Sequence, residues 1–105
     1  MVLVSFPFTD LSSTKRRPAL VISPDSFNVH GEDVILAAIT SHLAADPHSV
    51  PLDARDFREG RLPKPSVVKL TKIFTIHSDL IVKKVCSLKR DKLDAILKEM
   101  RDLFS

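Results

Sequence analysis

Trp and Tyr are missing from this chain of 105 residues, and its six aromatic side chains are all Phe. Any stacking on a planar ligand therefore falls to Phe or His. Cysteine is almost missing as well. The single Cys86 excludes an internal disulfide framework and a multi-thiolate zinc site. Two glycines and seven prolines fit neither a flexible linker nor a collagen-like repeat. The longest unbroken apolar run, Val34 to Ile39, is far shorter than the roughly 20 residues of a membrane span. Met1-Val2-Leu3-Val4 lacks the basic segment that opens a secretory signal. The expectation is one soluble cytoplasmic domain over residues 1–105, with no membrane contact.

Charge is present, unevenly. The chain carries a net +3, but residues 1–60 balance at −3 and residues 61–105 at +6. A basic half suits a phosphate-bearing or acidic partner. Many basic domains have no such partner, so charge narrows the choice only slightly.

The hydrophobic pattern is mostly β with one terminal helix. Val2, Val4 and Phe6 alternate with Leu3 and Ser5 and predict a first strand that Pro7 stops. Thr9 to Arg16 reads as a polar loop, and 18–22 as a second strand led by Pro18 and closed by Ser23-Pro24-Asp25. Asn28 to Asp33 reads as a turn. Val34 to Ile39 is apolar on both faces, which predicts a central strand. His42 to Pro63 is irregular, with a short strand at Val50 and Leu52 and an exposed excursion from Asp53 to Arg61. Apolar periodicity returns at 66–70, at 73–76 and at 80–85. Leu93, Ile96, Leu97, Met100, Leu103 and Phe104 recur at helical spacing, with Ser87 a candidate N-cap.

Chemistry has few places to sit. Lys15-Arg16-Arg17 precedes Pro18, which presses the Arg17 backbone toward extended geometry. A guanidinium held there either solvates its loop or forks onto phosphate oxygens. Thr40-Ser41-His42 closes the strand of residues 33–39; persisting strand geometry puts Thr40 and His42 on one face and Ser41 on the other. A hydroxyl and an imidazole at that position either satisfy their own turn or serve a phosphate and a proton. His30, His42, His48 and His77 show no metal-ligand spacing, and no phosphate-cradling glycine loop or nucleophile elbow is present. No metal and no cofactor are expected. Cys86 reads as packing, and Asp53 and Asp56, flanking Arg55, as loop solvation.

Residues 6–23 (FPFTDLSSTKRRPALVIS), 34–42 (VILAAITSH), 63–76 (PKPSVVKLTKIFTI) and 80–100 (LIVKKVCSLKRDKLDAILKEM) together resemble the MazF/PemK toxins, over nearly the whole chain. The RRPALVIS and AAITS blocks carry most of the likeness. The resemblance implies a mainly β (α+β) fold, a small SH3-like β-barrel with a C-terminal α-helix. It implies a homodimer, inhibited by an acidic antitoxin protein, that cuts single-stranded RNA without a metal. The family's arginine and threonine positions fall on Arg17 and Thr40. RNA brings its own nucleophile, the 2′-OH, so a phosphate clamp and two proton transfers suffice. Arg17 is cast as the phosphate stabiliser, since a permanently charged guanidinium is a poor base. Thr40 is cast as a hydrogen-bond donor.

Acids that some family members carry align here with Ser12-Ser13-Thr14-Lys15 and with Thr71, so the proton falls to His42 or Asp10. Lys15, Arg16, Ser41, Lys69 and Lys72 are the expected RNA contacts, and Phe8, Phe74 or a histidine the candidate stacking groups, with Phe74 equally readable as a core residue. Two alternatives share the resemblance: a gyrase-inhibiting toxin of the CcdB type, and a catalytically weak module that binds RNA or antitoxin.

Overall fold

The computed structural model describes residues 2–9, 14–24, 32–41 and 46–105, with side chains for 17–24, 32–41 and 46–105. Seven strands and one α-helix account for most of these residues. The strands are β1 (Val2–Thr9), β2 (Thr14–Val21), β3 (Asp33–Thr40), β4 (Ser49–Leu52), β5 (Phe57–Glu59), β6 (Ser66–His77) and β7 (Lys83–Leu88), followed by α1 (Arg90–Leu103). Single 3-10 turns at Ala54–Asp56 and Ser78–Leu80 join β4 to β5 and β6 to β7. All seven strands form one sheet in the order β4-β6-β3-β2-β1-β7-β5, with every pairing antiparallel.

Proline placement follows the pairing. Pro7 does not end β1, contrary to the sequence expectation; it lies within the strand, opposite Arg16. β7 accompanies β1 only as far as Ser5, so Pro7 stands where β1 has a neighbour on one side, and its missing donor is tolerated. Pro18 likewise precedes the first β2–β3 pair at Ala19, and Pro51 lies in edge strand β4. β2 starts at Thr14, so Lys15, Arg16 and Arg17 are strand residues rather than the end of a loop.

β6 is one strand where two were expected. Its pairing with β3 runs Ala37↔Ile73 and then Ile39↔Val68, two steps on β3 against five on β6. The extra residues bend β6 and hand its first half to β4, where Ser49 pairs Lys69 and the Leu70 N–H donates to the His48 carbonyl at 2.9 Å. That bend curls the sheet. Val50 and Leu52 from one end and Leu88 from near the other share a single core with Leu20, Ile39 and Val68. Phe57 of β5 packs against the same core, so the two ends of the sheet meet through side chains.

The helix closes the open side of this curl. Leu93, Ile96 and Met100 are buried in the core, with Leu97 and Leu103 packed beside them. Phe104 departs from the expected stripe: it caps the helix C-terminus and is 69% exposed. Ser87 is not the N-cap either; it is buried in β7, and Lys89 occupies the cap. The helix start is fixed instead through its backbone, the Lys89 N–H donating to the Asp56 carbonyl at 2.8 Å. Lys92 lies 3.4 Å from the Asp56 carboxylate, with both side chains about four-fifths covered. Asp56 is thus an anchor for the helix, where the sequence suggested loop solvation. A smaller apolar cluster of Ala19, Val21, Val34 and Leu36 lies apart from the first, with Phe74 and Ile76 against it.

Candidate phosphate-binding cavity

The β2–β3 register decides the site. Ala19 pairs Ala38, and two residues further along that register Arg17 comes level with Thr40, on the strand that carries the second sequence block. Side-chain alternation then turns both residues toward one face. A cavity of about 310 Å³ opens there, lined by Arg17, Pro18, Ile39, Thr40 and Ser41 from the two strand ends. Leu62, Pro63, Lys64 and Ser66 from the segment entering β6 close it. Arg17 is exposed and Thr40 half-buried.

Three of the expected site residues therefore meet: Arg17, Thr40 and Ser41. Ser41 was expected on the opposite face from Thr40. It lines the same cavity because β3 ends at Thr40 and the chain bends at Ser41, which breaks the alternation. Lys64 and Ser66 were not singled out from the sequence. Lys64 is set between Pro63 and Pro65, whose rings restrict its backbone. The buried Ser66 hydroxyl donates to the Lys64 carbonyl at 2.9 Å and fixes the corner. The available signal was the X-Pro-Lys-Pro pattern itself, a cation on a stiff bend.

The ionisable groups lining the cavity, Arg17 and Lys64, are both cationic. With the Thr40 and Ser41 hydroxyls beside them, the arrangement suits a phosphate: permanent positive charge, a planar fork and neutral donors.

The other expected residues are placed differently. Lys69 is half-buried and its Nζ donates to Asp46 at 2.9 Å; it does not line the cavity. The Asp46 carboxyl is held below its usual range, first by the hydrogen bond from the His48 N–H and then by Lys69. Lys72 is exposed on β6, as is Thr71, outside the cavity lining. Phe74 packs against the second apolar cluster, so its core role stands. Cys86 is buried, and burial pushes its thiol up to about 11, which suits packing. His42, His30 and Asp10 lie outside the described residues, as do the side chains of Lys15, Arg16 and Phe8. Among the described residues no three His, Cys, Asp or Glu side chains gather as a metal site. No helix among them is long and apolar enough to cross a membrane.

Comparison with known proteins gives a consistent picture. A family model described as PemK-like, MazF-like toxin of type II toxin–antitoxin systems matches residues 1–104. Endoribonuclease MazF6 of Mycobacterium tuberculosis and Endoribonuclease MazF2 of Mycobacterium bovis are each 47% identical to this chain over 66 residues. That stretch is 60% of this chain and 55% of each relative, so the match spans little more than half the length of those proteins. The solved Mycobacterium tuberculosis toxin MazF-mt6 superposes with a TM-score of 0.80 at 22% identity, covering 99% of this chain and 96% of that one. A chain of a Deinococcus radiodurans MazE–MazF crystal structure gives 0.80 at 24% identity, over 98% of this chain and 92% of that one. These two superpositions establish a shared mainly β fold with a C-terminal helix.

Proposed function

The chain belongs to the PemK-like, MazF-like family of toxins of type II toxin–antitoxin systems, and from that membership we propose that it is an endoribonuclease acting on single-stranded RNA. The observation that carries the reading is the meeting of Arg17 and Thr40, with Lys64, in one cationic cavity. In the reaction the ribose 2′-oxygen bonds to phosphorus as its proton passes to a base, and the P–O5′ bond breaks as the departing oxygen takes up a proton. The products are a 2′,3′-cyclic phosphate and a 5′-hydroxyl. Arg17 and Lys64 hold the non-bridging oxygens and meet the charge that grows on them, and Thr40 donates to the same group. A base for the 2′-OH and a proton donor for the departing oxygen are the remaining needs, and His42, next in sequence to Ser41, has the chemistry for either. The substrate supplies the nucleophile, so the clamp works without a metal.

The same reading makes residues 1–105 one functional domain in the cytoplasm. It acts as a homodimer held in check by an acidic antitoxin protein. Lys15, Arg16 and Lys72 are the further candidate contacts for the RNA backbone, with Lys69 already committed to Asp46.

The test is a long single-stranded RNA incubated with purified protein in EDTA. Cleavage with cyclic-phosphate ends is expected, and Arg17→Ala lowers the rate by about 10²–10³, the usual loss for a transition-state donor. Arg17→Lys restores only part of it, because an ammonium cannot fork onto two oxygens. Intact RNA at high protein excess removes the nuclease reading and leaves binding or a gyrase-type toxin.

A further inference from the structure

A second cavity of about 300 Å³ adjoins the first across a shared wall, Leu62, Pro63, Lys64 and Ser66. Its chemistry is different. Leu52 and Phe57 give it apolar surface, Arg61 and Lys64 lie along it, and Asp53 brings a carboxylate. Asp53 and Asp56 form a capping box across the nearby 3-10 turn: the Asp56 carboxylate accepts from the Asp53 N–H at 2.7 Å, the Asp53 carbonyl accepts from the Asp56 N–H at 2.9 Å, and the two oxygens of the Asp53 carboxylate keep lone pairs for a further donor. The Asp53 carboxylate pairs with Arg55 at 3.5 Å, but both side chains are more than two-thirds exposed, so water and ligands compete freely for it.

A carboxylate is a poor neighbour for a phosphate and a good acceptor for an amino group. Phe57 is half-buried and packed on the core, so it is a fixed apolar surface. An aromatic surface, an acceptor and a flanking guanidinium, one wall away from a phosphate clamp, match a nucleobase with its backbone continuing past it. We propose that this second cavity is a base-recognition subsite for the nucleotide beside the scissile phosphate. Phe57 and Leu52 cover the base, and Asp53 selects one that presents an exocyclic amino group. Arg61 contacts the phosphate on the far side. Cytosine fits this demand through its 4-amino group. Uracil turns a carbonyl oxygen toward the carboxylate and is disfavoured. The position of the subsite relative to the cut rests on the nuclease reading above; the preference itself does not.

Binding by short 2′-fluoro oligocytidylate and oligouridylate, which cannot be cleaved, tests the subsite separately from cleavage. The native chain is expected to bind the cytosine oligomer about tenfold more tightly, the scale of one well-placed base contact. In Asp53→Asn the carboxamide donates as well as accepts, so the ratio collapses toward one. Phe57→Leu, which keeps an apolar core contact, weakens both oligomers and leaves the ratio. Arg17→Ala weakens both equally through the phosphate. A native ratio within about twofold of one, or a ratio unmoved in folded Asp53→Asn, overturns the proposal. Cleavage without base preference sinks the subsite alone, and preference without cleavage sinks only the nuclease reading.

Discussion

At the scale of single residues, the fate of two lysines shows how context assigns a charge. Lys69 and Lys64 are both cations near β6, and the sequence favoured Lys69 as the RNA contact. Asp46 takes Lys69 at 2.9 Å, with both side chains about four-fifths covered, so that ammonium is already neutralised. Lys64 lines the cavity instead. The Asp46 pairing has a pH signature. Its folded-state pKa is lowered, so its contribution is complete above the ordinary carboxylate value and is lost as pH falls through the lowered one. Thermal melts between about pH 5 and pH 2 are expected to fall less steeply for Asp46→Asn than for the native chain. Equal slopes would mean that the pair adds nothing to folding. Gly60 shows a backbone requirement at the same scale. Its φ is +70, and an added Cβ would sit 2.9 Å from that of Cys86, so both conformation and space reserve the position for glycine.

At the scale of elements, α1 is the clearest product of local pattern. Its apolar spacing places Leu93, Ile96 and Met100 in the core because 3.6 residues per turn returns them to one face. Ile96 is fully buried, and Ile96→Ala is expected to cost about 2–5 kcal/mol in denaturant unfolding. Phe104 satisfies the same spacing, yet Phe104→Ala is expected to change stability by less than about 0.5 kcal/mol, because the helix ends before the ring can reach the core. Periodicity reports which residues could share a face; the end of the element decides which of them do. β6 teaches the converse. Its two apolar stretches look separate in sequence because Thr71 and Lys72 fall between them, but that interruption lies in the bend of one strand that changes partners.

At the scale of the whole molecule, the uneven charge acquires a location. The acidic first half supplies Arg17 and Thr40, and the basic second half supplies Lys64 to the same cavity. On the proposed function, a phosphate clamp assembled this way makes RNA affinity salt-dependent. Each phosphate contact on a single strand contributes a slope of about 0.7 in the logarithmic salt plot, so Lys64→Ala is expected to flatten it by that amount. Lys98→Ala, on the exposed face of α1, is expected to leave the slope unchanged. Fluorescence titration across a salt series measures both.

The amino-acid sequence by itself determined the mainly β character, the terminal helix, the blocks holding Arg17 and Thr40 and the membership of the family, all of which depend on order along the chain and on local spacing. The tertiary structure alone decided which charges share a cavity. Register brings Arg17 level with Thr40, a bend moves Ser41 beside them, and the Pro-flanked corner adds Lys64 and Ser66 from more than twenty residues away. The same curl sets the Asp53 and Phe57 cavity against the first. Such meetings depend on strand pairing and closure, which act across the sheet and leave no periodic trace along the chain. The scarcity of aromatic residues ends with a place as well: with Trp and Tyr absent, the aromatic ring that lines either cavity among the described residues is the half-buried Phe57, one wall from the clamp.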